Sequence, residues 1–389
     1  MEFKFSEEQL MIRDTADAFL AEVSTSAAVR EAMATELGYD PMLWQRMCEE
    51  MFWPAIHIPE QFGGMGLGYV ELVAMQEQMG RYLLCAPFYA TVCLATNALL
   101  VAASEQQKAR YLPAIVSGTT ATLAYTGSNG QWDADAVEAI CTREGENYVI
   151  SGNYRFVPDG HSAQLLVVAA REPGTRGEEG ISLFVLPADC PGISRHWLPT
   201  MDQTRKQARL DFDKVTLDAS ALMGEVGQAW PQLAQIIDLA TIAIAGDQVG
   251  GAQQSLDSTV AYLKERVQFG RKIASYQAVK HKAADMMLKV EAARSAIYYA
   301  ACIADEFFQG GELSVELPEA ASIAKAYCSD AYFHNAGTGI QLHGGVGFTA
   351  EYDIQLYFKR AKSTETFLGN ASYHRERLAR TLLDGSDLL

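Results

Sequence analysis

The hydrophobic rhythm of the chain changes twice. Over residues 1–120 apolar positions recur at helical spacing, as in Ile12, Ala16, Phe19 and Leu20, the pattern of helices with one buried face. Ser6 followed by Glu7 and Glu8 predicts where the first helix starts, because a hydroxyl accepts from the free N–H groups there and acids suit the positive end. The glycine-rich run PEQFGGMGLG at 59–68 predicts a loop. A helix is expected from about Val70 to Met79, and another from about Pro87 to Ala102 with the proline in its first turn. Tyr111-Leu112-Pro113 and Ser117-Gly118 are expected to close this part.

From about Thr120 to Leu222 the period drops to two. YVISG, YRFVPDG, AQLLVVAAR, GISLFVLPA and QARLDFDKVTL are short, rich in β-branched and aromatic residues, and separated by Gly, Pro and Asp. They predict a small antiparallel barrel or sandwich. From about Ala229 the helical period returns. One long helix is expected from Ser275 to about Phe308, with Val279, Ala283, Met287, Val290, Ala293 and Ile297 along its buried stripe. Another should run from Pro318 to Leu342 and stop at His343-Gly344-Gly345. Helices of this length predict a four-helix bundle with an apolar face left for another subunit. The fold class is thus α+β and multidomain: an N-terminal helical domain (1–120), a middle β-barrel domain (121–226) and a C-terminal helical bundle (227–389).

Composition narrows the function. The 389 residues exceed what one core usually holds, and 49% apolar with 20% charged residues is a globular balance. No stretch approaches the roughly 20 apolar residues of a membrane span. MEFKFSEEQLMIRD has neither the order of a signal peptide nor the make-up of a transit peptide, so a cytoplasmic location is expected. A net charge of −17 argues against nucleic acid as partner, while leaving room for a phosphorylated ligand held by a few local cations. Seven scattered cysteines without a C-x-x-C pair read as small buried hydrophobes, and seven dispersed histidines give no metal-ligand spacing. No metal is expected.

Several segments in order resemble the flavin-dependent acyl-CoA dehydrogenase family. They are PEQFGGMGLGYVELVAMQEQMGR, ENYVISGNYRFVPDGHSAQLLVVAA, LDFDKVTLDASALMGEVGQAW, VGGAQQSLDSTVAYLKERVQFGRKIASYQAVKHKAADM and GIQLHGGVGFTAEYDIQLYFKRAK. MDQTRKQARLDFD is similar to the branch that degrades steroid and other bulky CoA thioesters. The resemblance implies helices, β-domain, helices, assembled as a homotetramer or, in some bacterial members, an α2β2 heterotetramer. It implies FAD as cofactor, an acyl-CoA substrate and electron transfer flavoprotein as acceptor. A carboxylate takes the α proton while the flavin takes the β hydride; such a base must be positioned and shielded.

The same resemblance assigns the cofactor residues. Arg266, Gln268 and Phe269 in ERVQFGRK match the run that reaches the neighbouring subunit's FAD, an Arg suiting the pyrophosphate through paired donors. Gln341, Gly344, Gly345 and Gly347 match the segment near the adenosine diphosphate, where glycines let backbone N–H groups approach. In the β-domain the family's Thr-Glu-Pro…Gly-Ser run is shortened to AYTGSNGQWD, leaving Thr126 and Ser128 as donors to the flavin ring. Phe156 stands for the family's Trp beside the flavin, and Pro158 for the following Thr. Each has a plainer reading: Arg266 covering a helix end, HGGVG stopping a helix, Phe156 packing in the core.

The catalytic base is the main departure. Phe367-Leu368-Gly369-Asn370 matches the Tyr-Glu-Gly-Thr run that carries the family's Glu, and the alternative helix-borne position is Ala240. Thr241 stands where the family keeps an Arg. Three acids lie near: Asp247, Asp238 and Glu365. Asp247 is seven residues beyond Ala240, hence on the same helix face and about 10 Å further along. Asp238 points to the opposite side, and Glu365 precedes Leu368 by three. Asp247 is the expected base, provided the thioester binds displaced or the helix breaks near Gly246. The other reading pairs Asp247 with a basic group at a subunit contact. Two functional classes follow, an active dehydrogenase using Asp247 or a half-site subunit completed by a homologous chain. A flavin oxidase of the same fold is a third.

Overall fold

The computed structural model describes residues 5–384. Two compact units each interleave separate stretches of chain. The first gathers the chain up to Glu31, Gly68–Leu84 and the chain from Thr241; the second gathers Ala32–Leu67 and Cys85–Ala240.

Helix α1 (Glu7–Val23) starts where expected. The Ser6 hydroxyl accepts from the Gln9 N–H, and the Gln9 side chain accepts from the Ser6 N–H. Helices α2 (Ser26–Ala34) and α3 (Pro41–Glu49) follow, the latter capped by Asp40. The glycine-rich run leads into α4 (Tyr69–Arg81). The helix expected from Pro87 is instead a π-helix over Tyr89–Thr96 that passes into α5 (Asn97–Ala102). The Thr96 hydroxyl donates to the Thr91 carbonyl five residues back, and the Asn97 amide donates to the Cys93 carbonyl. Side chains thus support a wide turn that apolar spacing does not reveal. Helix α6 (Glu105–Val116) continues through Pro113 and closes at Ser117-Gly118, the second of the two endings the sequence offered. Leu112 and Ile115 are fully buried, and Ser117 takes up the Pro113 carbonyl.

The middle domain is one eight-stranded sheet of β1 (Ala121–Ala124), β2 (Ile140–Glu144), β3 (Asn147–Pro158), β4 (Leu165–Arg171), β5 (Ile181–Pro187), β6 (Ile193–Leu198), β7 (Gln207–Leu217) and β8 (Leu222–Met223). Its order is β6-β7-β3-β2-β4-β5-β8, with β1 beside β4. Most pairs are antiparallel, as expected, but β1 runs parallel to β4, and β2 meets β4 in parallel at one position. Both strands are buried along their whole length, the setting that favours parallel neighbours. Tyr154, Phe184 and Phe212 anchor the sheet's core. A bulge between Tyr154 and Val157 in β3 puts Phe156 at φ 57°.

After the sheet comes α7 (Trp230–Glu265), 36 residues long and unbroken. A hairpin of β9 (Val267–Gln268) and β10 (Arg271–Lys272) leads to α8 (Gln277–Gln309), α9 (Leu317–His343), α10 (Ile354–Thr366) and α11 (Ala371–Asp384). On α8 the buried stripe is Met286, Val290, Ala293 and Ile297, whereas Met287, expected inside, is 57% exposed. The stripe drifts because a 3.6-residue period does not return to one line over so long a helix. Within the first unit α4 and α7 touch backbone to backbone. A Cβ on Gly250 would stand 1.7 Å from the Glu77 carbonyl oxygen, and one on Gly80 would stand 2.0 Å from that of Asp247. Among the described residues no helix is long and apolar enough to cross a membrane, and no three His, Cys, Asp or Glu are grouped to hold a metal ion.

Candidate active site

In the first unit, α7 passes Gly246 without a break, so the bend that would have brought Asp247 back toward the level of Ala240 is not there. Asp247 is wholly buried, and its Oδ1 lies 3.1 Å from the Arg360 guanidinium on α10, itself wholly buried. Arg360 also donates to the Leu84 carbonyl at 3.3 Å. The basic partner foreseen for Asp247 therefore comes from the same chain rather than from a subunit contact. Leu368 is 1% exposed and holds the left-handed φ of 58°, followed by Gly369 at 94°. Glu365 is half-buried and pairs with Lys362 at 2.8 Å. Two more titratable side chains meet this turn: Lys325 of α9 and His374 of α11, both buried.

The residues expected near the FAD diphosphate lie open. Arg266, Gln268, Gln341, Gly344 and Gly345 are exposed, and Phe269 is 91% exposed at the tip of the hairpin. A Cβ on Gly344 or Gly345 would meet nothing within 4 Å, so their backbone is accessible to a ligand or a second chain. Gly344 ends α9 with φ 65°, the glycine stop foreseen there. The exposed Arg266 guanidinium and the open space at Gly344 and Gly345 leave room for a phosphate-bearing group, although the Gly344 N–H already donates to the Gln341 carbonyl.

In the second unit the expected ring donors are already engaged. The Thr126 hydroxyl donates to the Arg155 carbonyl at 2.7 Å. The Ser128 hydroxyl donates to the Glu138 carboxylate at 2.9 Å, and its N–H meets the same oxygen. Gly127 leaves the room this needs, for a Cβ there would stand 2.1 Å from that carboxylate. Arg171 pins the loop by donating to the Val137 and Ala134 carbonyls. Pro158 offers no hydroxyl, and Phe156 is 43% exposed. Both hydroxyls expected to meet a flavin ring are thus engaged within the chain. Ala240 is fully buried, and its carbonyl accepts from the Tyr89 hydroxyl at 3.0 Å. Asp238 is buried at 1% exposure.

Three family models cover most of the chain in the same order. The N-terminal, middle and C-terminal domains of acyl-CoA dehydrogenase match residues 6–119, 122–215 and 227–383. The chain belongs to the acyl-CoA dehydrogenase family. Acyl-CoA dehydrogenase IpdE2 of Mycobacterium tuberculosis is 33% identical over 93% of both chains, and IpdE2 of Mycolicibacterium smegmatis is 31% identical over 96% of this chain and 98% of its own. Among solved structures, butyryl-CoA dehydrogenase of Megasphaera elsdenii superposes with TM-score 0.89 at 26% identity, covering 98% of this chain and all of that one. The Tcur3481–Tcur3483 steroid ACAD gives 0.85 at 29%, over 97% and 98%. The ChsE4–ChsE5 complex of Mycobacterium tuberculosis gives 0.87 at 26%, over 98% and 99%. The chain is an acyl-CoA dehydrogenase-type oxidoreductase, built as an N-terminal helical, a middle β-sheet and a C-terminal helical domain, in a family of flavoproteins.

Sequence reasoning did not find Arg360 as the partner of Asp247, Glu138 over Ser128, or the buried Lys325. A signal for the last was present: Lys325 stands in SIAKAYC, among small and apolar residues where a solvated lysine has no place.

Proposed function

We propose that this chain is one subunit of a flavin-dependent dehydrogenase acting on a bulky, steroid-derived acyl-CoA thioester, and that a homologous partner chain supplies the α-proton base. The observation that carries this reading is the state of the base positions. Leu368 and Ala240 are buried hydrocarbon, and Asp247 is enclosed against Arg360 with no exposed surface. A general base must reach the proton it removes, and an enclosed carboxylate offers no open face. The segment MDQTRKQARLDFD and the two-component names of two structural neighbours support the bulky substrate and the unlike partner.

FAD, when bound, supplies the acceptor for the β hydride. This chain's contribution is to hold its diphosphate with Arg266, Gln268 and Gln341 at the open turn of Gly344 and Gly345, with Phe269 covering it. Thr126, Ser128 and Phe156 are the proposed ring contacts only if Glu138 and Arg155 release the two hydroxyls. Electron transfer flavoprotein is the expected final acceptor.

Purifying the chain alone and recording its visible spectrum tests the proposal. The expected result is colourless protein that gains flavin only when made together with a homologous chain. Yellow protein bleached by an acyl-CoA, with bleaching lost in Asp247→Asn, would replace this reading by Asp247 as the base.

A further inference from the structure

Lys325 is a lysine with no exposed surface, burial pulling its pKa down to about 7 against the raising effect of Glu365, and four oxygens converge on its Nζ. It donates to the carbonyls of Thr364 at 2.9 Å, Glu365 at 3.1 Å and Gly369 at 2.9 Å, and to the Ser329 hydroxyl at 3.2 Å. The first two carbonyls belong to the last turn of α10, which has no intrahelical donors left for them and carries the negative end of the helix dipole. The third follows Leu368 directly. From α11, His374 Nε2 lies 2.9 Å from the Leu368 carbonyl, and its Nδ1 lies 3.3 Å from the Ser322 hydroxyl. Pairing with a carbonyl requires the proton on Nε2, which leaves Nδ1 to accept from Ser322. The carbonyls of residues 364, 365, 368 and 369 are thus all held by two buried side chains on two other helices.

That grip answers a cost. Leu368 and Gly369 are consecutive residues with left-handed φ, a conformation in which a leucine is strained and which the surroundings must offset. A neutral side chain at 325 could not satisfy three carbonyls, whereas an ammonium has three donors and a charge that carbonyl dipoles stabilise. Around the ammonium stand the Glu365 carboxylate, which is paired with Lys362, the thiol of Cys328, and His374.

We propose that Lys325, with His374, is the positioning device of the 366–369 turn, fixing its left-handed path so that side chain 368 is held inward. The inference rests on the proposed function only in taking this turn to face the thioester.

The test is amide hydrogen exchange on the full chain. In Lys325→Met, amides 367–370 should exchange about tenfold faster or more while the amides of α9 stay protected. In Lys325→Ala, ammonium chloride should restore the protection by refilling the cage of oxygens, and sodium chloride should not. His374→Gln, which keeps a donor toward the Leu368 carbonyl, should retain protection that His374→Leu loses. Unchanged exchange in Lys325→Met, or rescue by sodium as good as by ammonium, overturns the proposal. If Lys325→Met fails to fold, the His374 pair and the ammonium rescue still decide it. A separate measurement on the wild-type protein, as isolated with its flavin and partner, adds the CoA thioester of a steroid carboxylic acid. Slower exchange at 367–370 supports the turn facing the thioester, and no change there leaves the device standing while removing its place in the site.

Discussion

Arg360 on α10 and Asp247 on α7 form an ion pair at 3.1 Å with both side chains fully withdrawn from water. Removing one member of such a pair strands the other as a buried charge, which costs about 3–5 kcal/mol, while replacing both with apolar groups is often neutral. Arg360→Met and Asp247→Leu should each lower the denaturation midpoint sharply, and the double variant should recover most of the loss. Chemical denaturation of the three variants checks this, and strict additivity would show that the two residues do not depend on each other.

The α4–α7 contact makes two glycines unequal. Gly250 leaves no room, since a Cβ would stand 1.7 Å from the Glu77 carbonyl oxygen. Gly250→Ala should therefore separate the helices and cost about 3 kcal/mol or more. Gly345→Ala, where a Cβ meets nothing within 4 Å, should stay within about 0.5 kcal/mol. Thermal unfolding of the two variants compares them directly. If the exposed 344–345 turn takes a diphosphate, Gly345→Ala should also weaken FAD binding without changing stability.

Much of the fold was legible because long helices and alternating strands leave strong periods. The start at Ser6, the stop at Gly344 and the helical–β–helical order followed from caps and spacing. The π-helix at Tyr89–Thr96 was not legible, since its wide turn depends on hydrogen bonds made by Thr96 and Asn97 rather than on apolar rhythm. The parallel β1–β4 pair was hidden for a related reason: four buried residues, Ala121–Ala124, carry no alternation to read. At the site, the sequence showed which carboxylates were near the empty base positions. It did not show that Asp247 is already paired, because Arg360 is 113 positions away.

His57 gives the second unit an acid-sensitive point. It lies 2.9 Å from Asn97, and burial pushes its pKa down from 6.5 to about 4, against the opposing pull of that hydrogen bond. A histidine lowered in the folded state contributes stability that is present above pH 6.5 and lost as pH falls through 4. The loss should reach roughly 3 kcal/mol, because each tenfold difference in proton affinity between the folded and unfolded chain is worth about 1.4 kcal/mol. Stability measured by denaturation between pH 7 and 4 should fall less steeply in His57→Gln than in the native protein. Equal slopes would show that His57 titrates normally.

Glu138 occupies the two Ser128 donors proposed to meet a flavin ring. Its carboxylate accepts from both the hydroxyl and the N–H of Ser128, the two donors nearest to what the family uses there. A ligand acceptor reaching Ser128 must displace that carboxylate, and a hydrogen bond to a charged acceptor is worth about 1.5–3 kcal/mol. Removing the competitor should return part of this to the ligand. Glu138→Ala should then lower the dissociation constant for FAD by about tenfold, the equivalent of about 1.4 kcal/mol, in a titration followed by flavin fluorescence. Ser128→Ala combined with Glu138→Ala should remove the part of the gain carried by the hydroxyl and leave the part carried by the backbone N–H. Should Glu138→Ala leave FAD binding unchanged while Arg266→Ala weakens it, the flavin is held from the hairpin side alone, and the β-domain of the partner chain must hold the ring.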